Sequence, residues 1–121
     1  MRTSNNGIYQ RASGAAPGKY EAGAEFYRDL PLDDAGDGTN GYARYWDAKA
    51  KAPWLFNPAT RIFWSYDDSA SLALKGAYVR YHRLGGLMFW ELSGDDDPGP
   101  LFHALRKTLS EDPPSFDPCS G

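Results

Sequence analysis

The feature that most constrains the fold is a short, uninterrupted apolar run, Leu87 to Trp90, between two stretches with helical periodicity. A run without alternating polar residues is typical of a strand that is covered on both faces. The order helix, buried strand, helix is the ending of an α/β unit. One such strand cannot form a sheet, so the second half of the sequence requires strand neighbours that these residues do not supply.

The two helices are predicted from apolar spacing. From Ala70 to Leu84, apolar residues recur at steps of three and four, with Asp68 or Ser69 as the N-cap and Gly85-Gly86 as the stop. The second helix begins at Pro100, a residue that suits a first helical turn. Its inner stripe is formed by three leucines, Leu101, Leu105 and Leu109. Residues 111–121, which contain three prolines, are predicted to be a flexible tail or linker.

The first half of the sequence favours short strands. Aromatic or apolar patches alternate there with Gly, Pro, Asn and Asp. Tyr42 to Asp47 alternates as a half-buried strand does, and Ala52 to Phe56 followed by Arg61 to Tyr66 reads as a hairpin around a turn at Asn57 to Thr60. A short helix is expected near Ala22 to Leu30. The predicted fold class is therefore α+β, a small antiparallel sheet followed by helix, strand and helix.

Composition excludes some classes of function. The net charge is −3 and no basic cluster is dense enough for a phosphate-binding surface, so nucleic acid is a poor partner. No apolar run approaches the roughly 18 residues that a membrane span requires. Aromatic residues make up 15% of the chain, which fits either a small core filled with large side chains or a groove for flat ligands such as sugars.

Cysteine use and the N-terminus leave the compartment undecided. Cys119 is the single cysteine, so neither an internal disulfide nor a cysteine metal site is expected. Met1 to Gln10 lacks the basic and apolar regions of a signal peptide. If a parent protein is exported, its signal is expected to lie outside this chain.

Four segments occur in the order and spacing of a known family. They are YEAG-x3-YRDL, YARYWDAKAKAPWLFNP, SYDD and LGGLMFWELSGDDD, and they fall within residues 4 to 110. In the order and spacing of these four segments, the chain resembles the family 18 chitinases. The resemblance implies that residues 4–66 are the α+β chitinase insertion domain. It also implies that residues 67–110 are the last helix, strand and helix of the family's catalytic TIM (β/α)8 barrel, an incomplete barrel here.

Two family motifs are missing. The signature D-x-x-D-x-D-x-E, whose glutamate protonates the glycosidic oxygen, does not occur in the sequence. The aromatic-Gly-Arg-Gly-aromatic strand that precedes the insertion in the family is also absent. The chain is therefore expected to be a truncated product or an excised piece that is catalytically silent alone.

The resemblance places three substrate-binding residues. Trp90 corresponds to the tryptophan that forms the floor of the −1 sugar subsite, although a core tryptophan is the alternative. Tyr20 and Glu21 correspond to an aromatic-Glu pair that reaches over the substrate from the insertion domain. A solvated charge beside a packing aromatic is the alternative for this pair. Met88, two residues before Trp90, is expected to pack below it in the core.

Other candidates are given structural roles. Glu91 follows the floor tryptophan, but strand alternation turns it to the other face. Asp95 to Asp97 lacks calcium-loop spacing and is expected to be a solvated turn and helix-start charge. No metal or cofactor is predicted. The remaining candidates are His82 and His103, expected in surface or packing roles, and Trp46, Trp54 and Trp64, expected mostly in the insertion-domain core.

The implied function is that of a parent enzyme, which hydrolyses β-1,4-linked N-acetylglucosamine polymers by a substrate-assisted retaining mechanism. Chitin or chito-oligosaccharide would be its partner, and it would be secreted. Whether it acts endo or exo, and its oligomeric state, are left open. Two other classes also stay open: a non-catalytic chitin- or carbohydrate-binding module, and a small self-contained domain of unrelated function.

Overall fold

A computed structural model describes residues 6–120 of the chain. Its helices and strands are β1 (Ala43–Asp47), β2 (Ala52–Asn57), β3 (Ile62–Ser65), α1 (Ser69–Tyr81) and α2 (Pro100–Ser110), with short 3₁₀ turns at Tyr27–Asp29 and Leu92–Gly94. The chain divides into two compact units. The first comprises the residues up to Trp46 together with Pro53–Tyr66, and the second comprises Asp47–Ala52 together with the residues from Asp67 onwards.

The first unit contains a three-stranded sheet in the order β1-β2-β3, which confirms the predicted α+β class and its small antiparallel sheet. β2 and β3 form the predicted hairpin, with Leu55 paired to Trp64 and Asn57 paired to Ile62. Asn57 closes the turn, because its Oδ1 accepts hydrogen bonds from the N–H groups of Ala59 (2.9 Å) and Thr60 (3.3 Å). Asparagine suits this position because its side chain hydrogen-bonds the backbone two residues further on.

The core of this unit lies along β2. Trp54, Leu55 and Phe56 are all buried. The Trp54 ring stacks on Tyr45 of β1, with ring centroids 5.3 Å apart, and its Nε1–H donates to the carbonyl of Asn6 (2.9 Å). The indole N–H therefore has the partner that a buried tryptophan needs.

The helix expected near Ala22 to Leu30 is only one 3₁₀ turn, Tyr27–Asp29. Leu30 has an extended backbone (φ −65°, ψ 146°) and precedes Pro31. A proline disfavours the α conformation of the residue before it, which prevents the turn from lengthening into a helix.

In the second unit, α1 begins where the sequence predicts. The Asp68 carboxylate accepts a hydrogen bond from Ser71 N–H, and Ser71 Oγ accepts one from Asp68 N–H, both at 2.9 Å. This capping box satisfies N–H groups that the first turn leaves free. The helix ends earlier than predicted, at Tyr81 rather than Leu84, because Arg83 already takes the left-handed conformation (φ 54°) that was expected at Gly85 and Gly86.

α1 and α2 pack against each other at Gly76. The lack of a side chain there lets Thr108 approach, and Thr108 Oγ1 donates to the carbonyl of Ala73 (3.0 Å). Val79 and Leu105 are buried in the same unit. The helix pair is thus held by a small apolar core and by hydrogen bonds of Thr108, whose Oγ1 also accepts one from the Arg80 guanidinium of α1 (3.4 Å).

The strand predicted at Leu87 to Trp90 does not form. The segment from Gly86 to Glu91 is irregular backbone, and within residues 6–120 no strand pairs with it. A strand requires a neighbour for its backbone N–H and C=O groups. The sequence predicted a buried strand from its apolar side chains, but the second unit contains no sheet to receive it.

The C-terminal segment, predicted to be a flexible tail or linker, contacts α1 and His82, the residue that directly follows α1. The Arg80 guanidinium donates to the carbonyl of Asp112, His82 Nε2 lies 3.3 Å from an Asp117 carboxylate oxygen, and Cys119 Sγ lies 3.9 Å from the carbonyl of Leu74. Among the described residues, no helix is long and apolar enough to cross a membrane.

Candidate functional site

Trp90 lies on the irregular segment between α1 and α2, and 82% of its surface is exposed. The peptide bond that joins it to Glu91 is cis. Met88, two residues earlier, is 83% exposed. The prediction that Met88 packs in the core is therefore wrong, because it assumed a strand covered on both faces. The exposed indole offers a flat apolar surface to a ligand, whereas a core tryptophan would not.

The residues that follow Trp90 form a compact turn. The N–H of Gly94 donates to the carbonyl of Glu91 (3.0 Å), and the N–H of Asp95 donates to the carbonyl of Leu92 (3.2 Å). Glu91 is half-buried, and its carboxylate has no hydrogen bond or ion pair to any residue between 6 and 120. The carbonyl group of Glu91 thus accepts one of the two hydrogen bonds that close this turn, and the strand alternation from which its structural role was predicted is absent.

Asp95 binds the start of α2. Its Oδ1 accepts a hydrogen bond from Leu101 N–H (3.2 Å), and its Oδ2 accepts one from Phe102 N–H (2.9 Å). Across residues 6–120, no group of three or more His, Cys, Asp or Glu side chains is arranged to hold a metal ion.

Tyr20 and Glu21 lie in the first unit, on a turn closed by backbone hydrogen bonds between Glu21 and Ala24. The Tyr20 ring packs on Phe26, with centroids 4.7 Å apart, yet half of the tyrosine (52%) is exposed. The Glu21 carboxylate is exposed and has no hydrogen bond or ion pair to the rest of the described chain. Both side chains are therefore available to a ligand.

A nearby ion pair fixes the base of this turn. Lys19 Nζ lies 2.6 Å from Asp29 Oδ1, and Lys19 N–H donates to Glu25 Oε2 (2.7 Å). The hydrogen bond from Lys19 holds the pKa of Asp29 below its ordinary value of 3.8, and the positive charges of Lys19 and Arg28 lower it further. Asp29 is thus ionised at neutral pH. Its ion pair with Lys19 joins the chain on either side of the turn that carries Tyr20 and Glu21.

The three predicted substrate-binding residues belong to two units, Tyr20 and Glu21 to the first and Trp90 to the second. The other candidates have packing contacts. His82 packs on the rings of Tyr78 and Tyr81, and His103 packs on Phe102. Trp54 is buried, whereas Trp46 and Trp64 are half-buried.

The sequence does not reveal how the Trp90 loop is joined to α2. It predicts an acidic helix start within Asp95 to Asp97, but not that Asp95 alone reaches Leu101 and Phe102. One signal was present in the sequence: Gly99 directly precedes Pro100, so the helix has no capping side chain of its own. A missing cap indicates that a more distant acceptor is required.

Comparison with known proteins identifies the class to which this fold belongs. The structure is similar to that of chitinase ChiA74 from Bacillus thuringiensis, with a TM-score of 0.69 and 35% identity over 84% of this chain and 18% of that one. It is also similar to a family 18 N-acetylglucosaminidase from Paenibacillus barengoltzii, with a TM-score of 0.56 and 42% identity over 64% of this chain and 21% of that one. These are glycoside hydrolases, which confirms the predicted class.

The family model for glycosyl hydrolases family 18 matches residues 2–95, a range that includes Tyr20, Glu21 and Trp90. The chain therefore belongs to glycosyl hydrolase family 18. It is 46% identical over 91 residues to Chitinase A1 of Niallia circulans and 39% identical over 76 residues to Chitinase B of Serratia marcescens. These matches cover 74% and 63% of this chain, but only 13% and 15% of the relatives' length.

Proposed function

We propose that this chain supplies part of the sugar-binding cleft of a chitinase, with Trp90 as the floor of the −1 subsite. The observation that carries the proposal is the exposure of Trp90 on a compact loop within the family-matched residues. A tryptophan side chain buries about 200 Å². Covering half of that surface with the apolar face of a pyranose is worth about 2.5 kcal/mol at roughly 25 cal/mol per Å².

In the same proposal, Tyr20 and Glu21 also bind sugar. The Glu21 carboxylate accepts hydrogen bonds from sugar hydroxyl groups, and the exposed part of Tyr20 stacks on a sugar ring. What supports this is that Glu21 makes no hydrogen bond or ion pair within residues 6–120 and that Tyr20 is held by Phe26. A carboxylate that is not already engaged loses no protein contact when it binds a hydroxyl group.

The parent enzyme, in the same proposal, hydrolyses β-1,4-linked N-acetylglucosamine in chitin. An acid protonates the glycosidic oxygen while the carbonyl oxygen of the substrate's own N-acetyl group attacks the anomeric carbon, and water then completes hydrolysis with retention. The acid belongs to a D-x-x-D-x-D-x-E motif that these 121 residues lack. The chain alone is therefore silent in catalysis, and the complete enzyme acts outside the cell.

The domain assignment is part of the proposal. Residues 4–66 form the insertion domain, residues 67–110 form the last part of the barrel, and residues 111–121 form the tail or linker. The compact hairpin unit and the helix-pair unit support this division.

Retention on chitin beads tests the binding part. We expect Trp90→Ala to lose retention and Phe116→Ala to keep it, since Phe116 is also an exposed aromatic (69%) but lies in the C-terminal segment. Equal retention of the two variants would contradict the role of Trp90. Release of fluorophore from a chitobioside by the 121-residue chain, lost on Trp90→Ala, would contradict catalytic silence.

A second candidate function is a non-catalytic chitin-binding module. It is favoured by the combination of exposed Trp90 and Tyr20 with the absence of the acid motif. Retention on chitin beads distinguishes the two candidate functions. Retention of a module does not change when a polypeptide with the remaining barrel strands of a family 18 chitinase is added, whereas retention of a partial cleft becomes stronger in the presence of that polypeptide.

A further inference from the structure

The loop that carries Trp90 is joined at both ends to the first turn of α2. Before Trp90, the ring of Phe89 contacts the ring of Phe102 edge-on, with centroids 6.0 Å apart and an interplanar angle of 67°. After Trp90, Asp95 Oδ2 accepts a hydrogen bond from Phe102 N–H at 2.9 Å. Phe102 therefore contacts both ends of the loop, because its ring packs on Phe89 and its backbone N–H donates to Asp95.

α2 needs Asp95 because it has no cap of its own. Its N-cap residue is Gly99, which has no side chain to accept a hydrogen bond, and Pro100 has no N–H. Leu101 and Phe102 thus carry the first N–H groups that require acceptors. Asp95 accepts both, at 3.2 and 2.9 Å, and its negative charge is favourable at a helix N-terminus.

Little backbone freedom remains between Trp90 and Asp95. The 3₁₀ turn Leu92–Gly94 is closed by two hydrogen bonds, and Gly94 is buried. Trp90 itself is 82% exposed, so its own packing does little to hold it. The backbone of the loop therefore positions the indole, and the contacts of Asp95 and Phe89 with Phe102 help to hold this backbone.

We propose that Asp95 is a positioning residue that holds Trp90 ready for a sugar by tying its loop to Phe102. The proposal rests on the proposed function in one respect, that Trp90 is the sugar-binding surface. An exposed aromatic that is ordered before binding loses less conformational entropy when the ligand arrives. Asp95 acts on the ligand only through Trp90 and does not touch it.

Nuclear magnetic resonance relaxation of the full chain tests the positioning step without any sugar. The indole N–H signal of Trp90 is assigned as the one lost in Trp90→Phe. We expect a Trp90 order parameter near the rigid value of about 0.85 in the wild type and below about 0.6 in Asp95→Ala. Asp97→Ala is the matched control, because it also removes one aspartate of this loop, but the Asp97 carboxylate makes no hydrogen bond to another described residue.

Asp95→Asn is the second variant, since its amide oxygen keeps one of the two acceptors, and we expect an intermediate loss of order. An unchanged order parameter of the Trp90 indole in Asp95→Ala would overturn the proposal. So would an equal loss of order at Val79 and Thr108, because that would show a general structural role. So would the same loss in Asp97→Ala.

Titration with chitotetraose separates this inference from the proposed function. We expect Asp95→Ala to weaken binding severalfold, in the same direction as Trp90→Ala. If Asp95→Ala disorders Trp90 while neither variant changes sugar binding, the positioning role stands and the sugar-binding role of Trp90 fails. If sugar binding depends on Trp90 but not on Asp95, the positioning proposal fails and the function stands.

Discussion

Gly76 and Thr108 meet where α1 and α2 pack together, and replacing the glycine by alanine tests that contact directly. A Cβ atom at position 76 would overlap the methyl group of Thr108 and would lie 2.7 Å from its Oγ1 and 2.9 Å from its Cβ. Favourable carbon contacts lie at about 3.5–4.0 Å. The two helices must therefore separate to admit the new methyl group.

Two opposing effects set the magnitude. Alanine is more favourable than glycine in a helix by about 1 kcal/mol. Overpacking a filled site costs about 1–3 kcal/mol. We expect a cost near the upper end of this range, because Thr108 Cβ is bonded directly to the main chain of α2 and cannot move aside without it. The difference is a net loss of about 2 kcal/mol, or about 10 °C in melting temperature for a unit of this size.

Thermal unfolding followed by far-ultraviolet circular dichroism measures this loss, since the helices of the second unit dominate that signal. Thr108→Ser provides the control, because it removes the overlapping methyl group and keeps the hydroxyl that donates to Ala73. We expect Gly76→Ala to be less destabilising in the Thr108→Ser background by at least about 1 kcal/mol, a coupling typical of residues in contact. A stabilised Gly76→Ala protein would refute the packing argument.

Three further perturbations have defined outcomes. Asp68→Ala removes the N-cap of α1 and should destabilise the second unit by about 1 kcal/mol in thermal unfolding, whereas Ser69→Ala should change it little. Leu55→Ala should cost about 2–5 kcal/mol in denaturant unfolding, because Leu55 is fully buried (0% exposed), and a loss under about 1 kcal/mol would contradict this core. Because the pKa of Asp29 is lowered, its ion pair with Lys19 contributes stability above the ordinary carboxyl pKa of 3.8 and loses it as pH falls through the lowered value. Carboxyl-carbon NMR titration should therefore give a midpoint below 3.8 that rises in Lys19→Met, and a midpoint that does not move would contradict the pair.

Local patterns made much of the fold predictable. The hairpin around Asn57, the N-cap at Asp68 and the start of α2 at Pro100 depend on residues that are close in sequence, and the structure contains all three. Propensity and capping rules act over a few residues, so a single sequence is enough to apply them.

The incorrect predictions concern interactions that the local sequence pattern does not determine. Leu87 to Trp90 has the composition of a buried strand, but a strand depends on partners that are distant in sequence. Met88 was misplaced for the same reason. Of the candidate site, the residue types of Trp90, Tyr20 and Glu21 were evident from the family resemblance. The tie from Asp95 to Phe102 was not, because it joins residues across a turn whose shape the sequence did not reveal.

Trp90 is proposed to bind sugar from an ordered loop. The chemical shift of the Trp90 indole N–H in the full chain, followed as chitotetraose is added, tests this binding. We expect that signal to shift and to saturate, while the indole signal of buried Trp54 stays in place. A shift at Trp54 without one at Trp90, or no saturable shift at Trp90, would contradict the account.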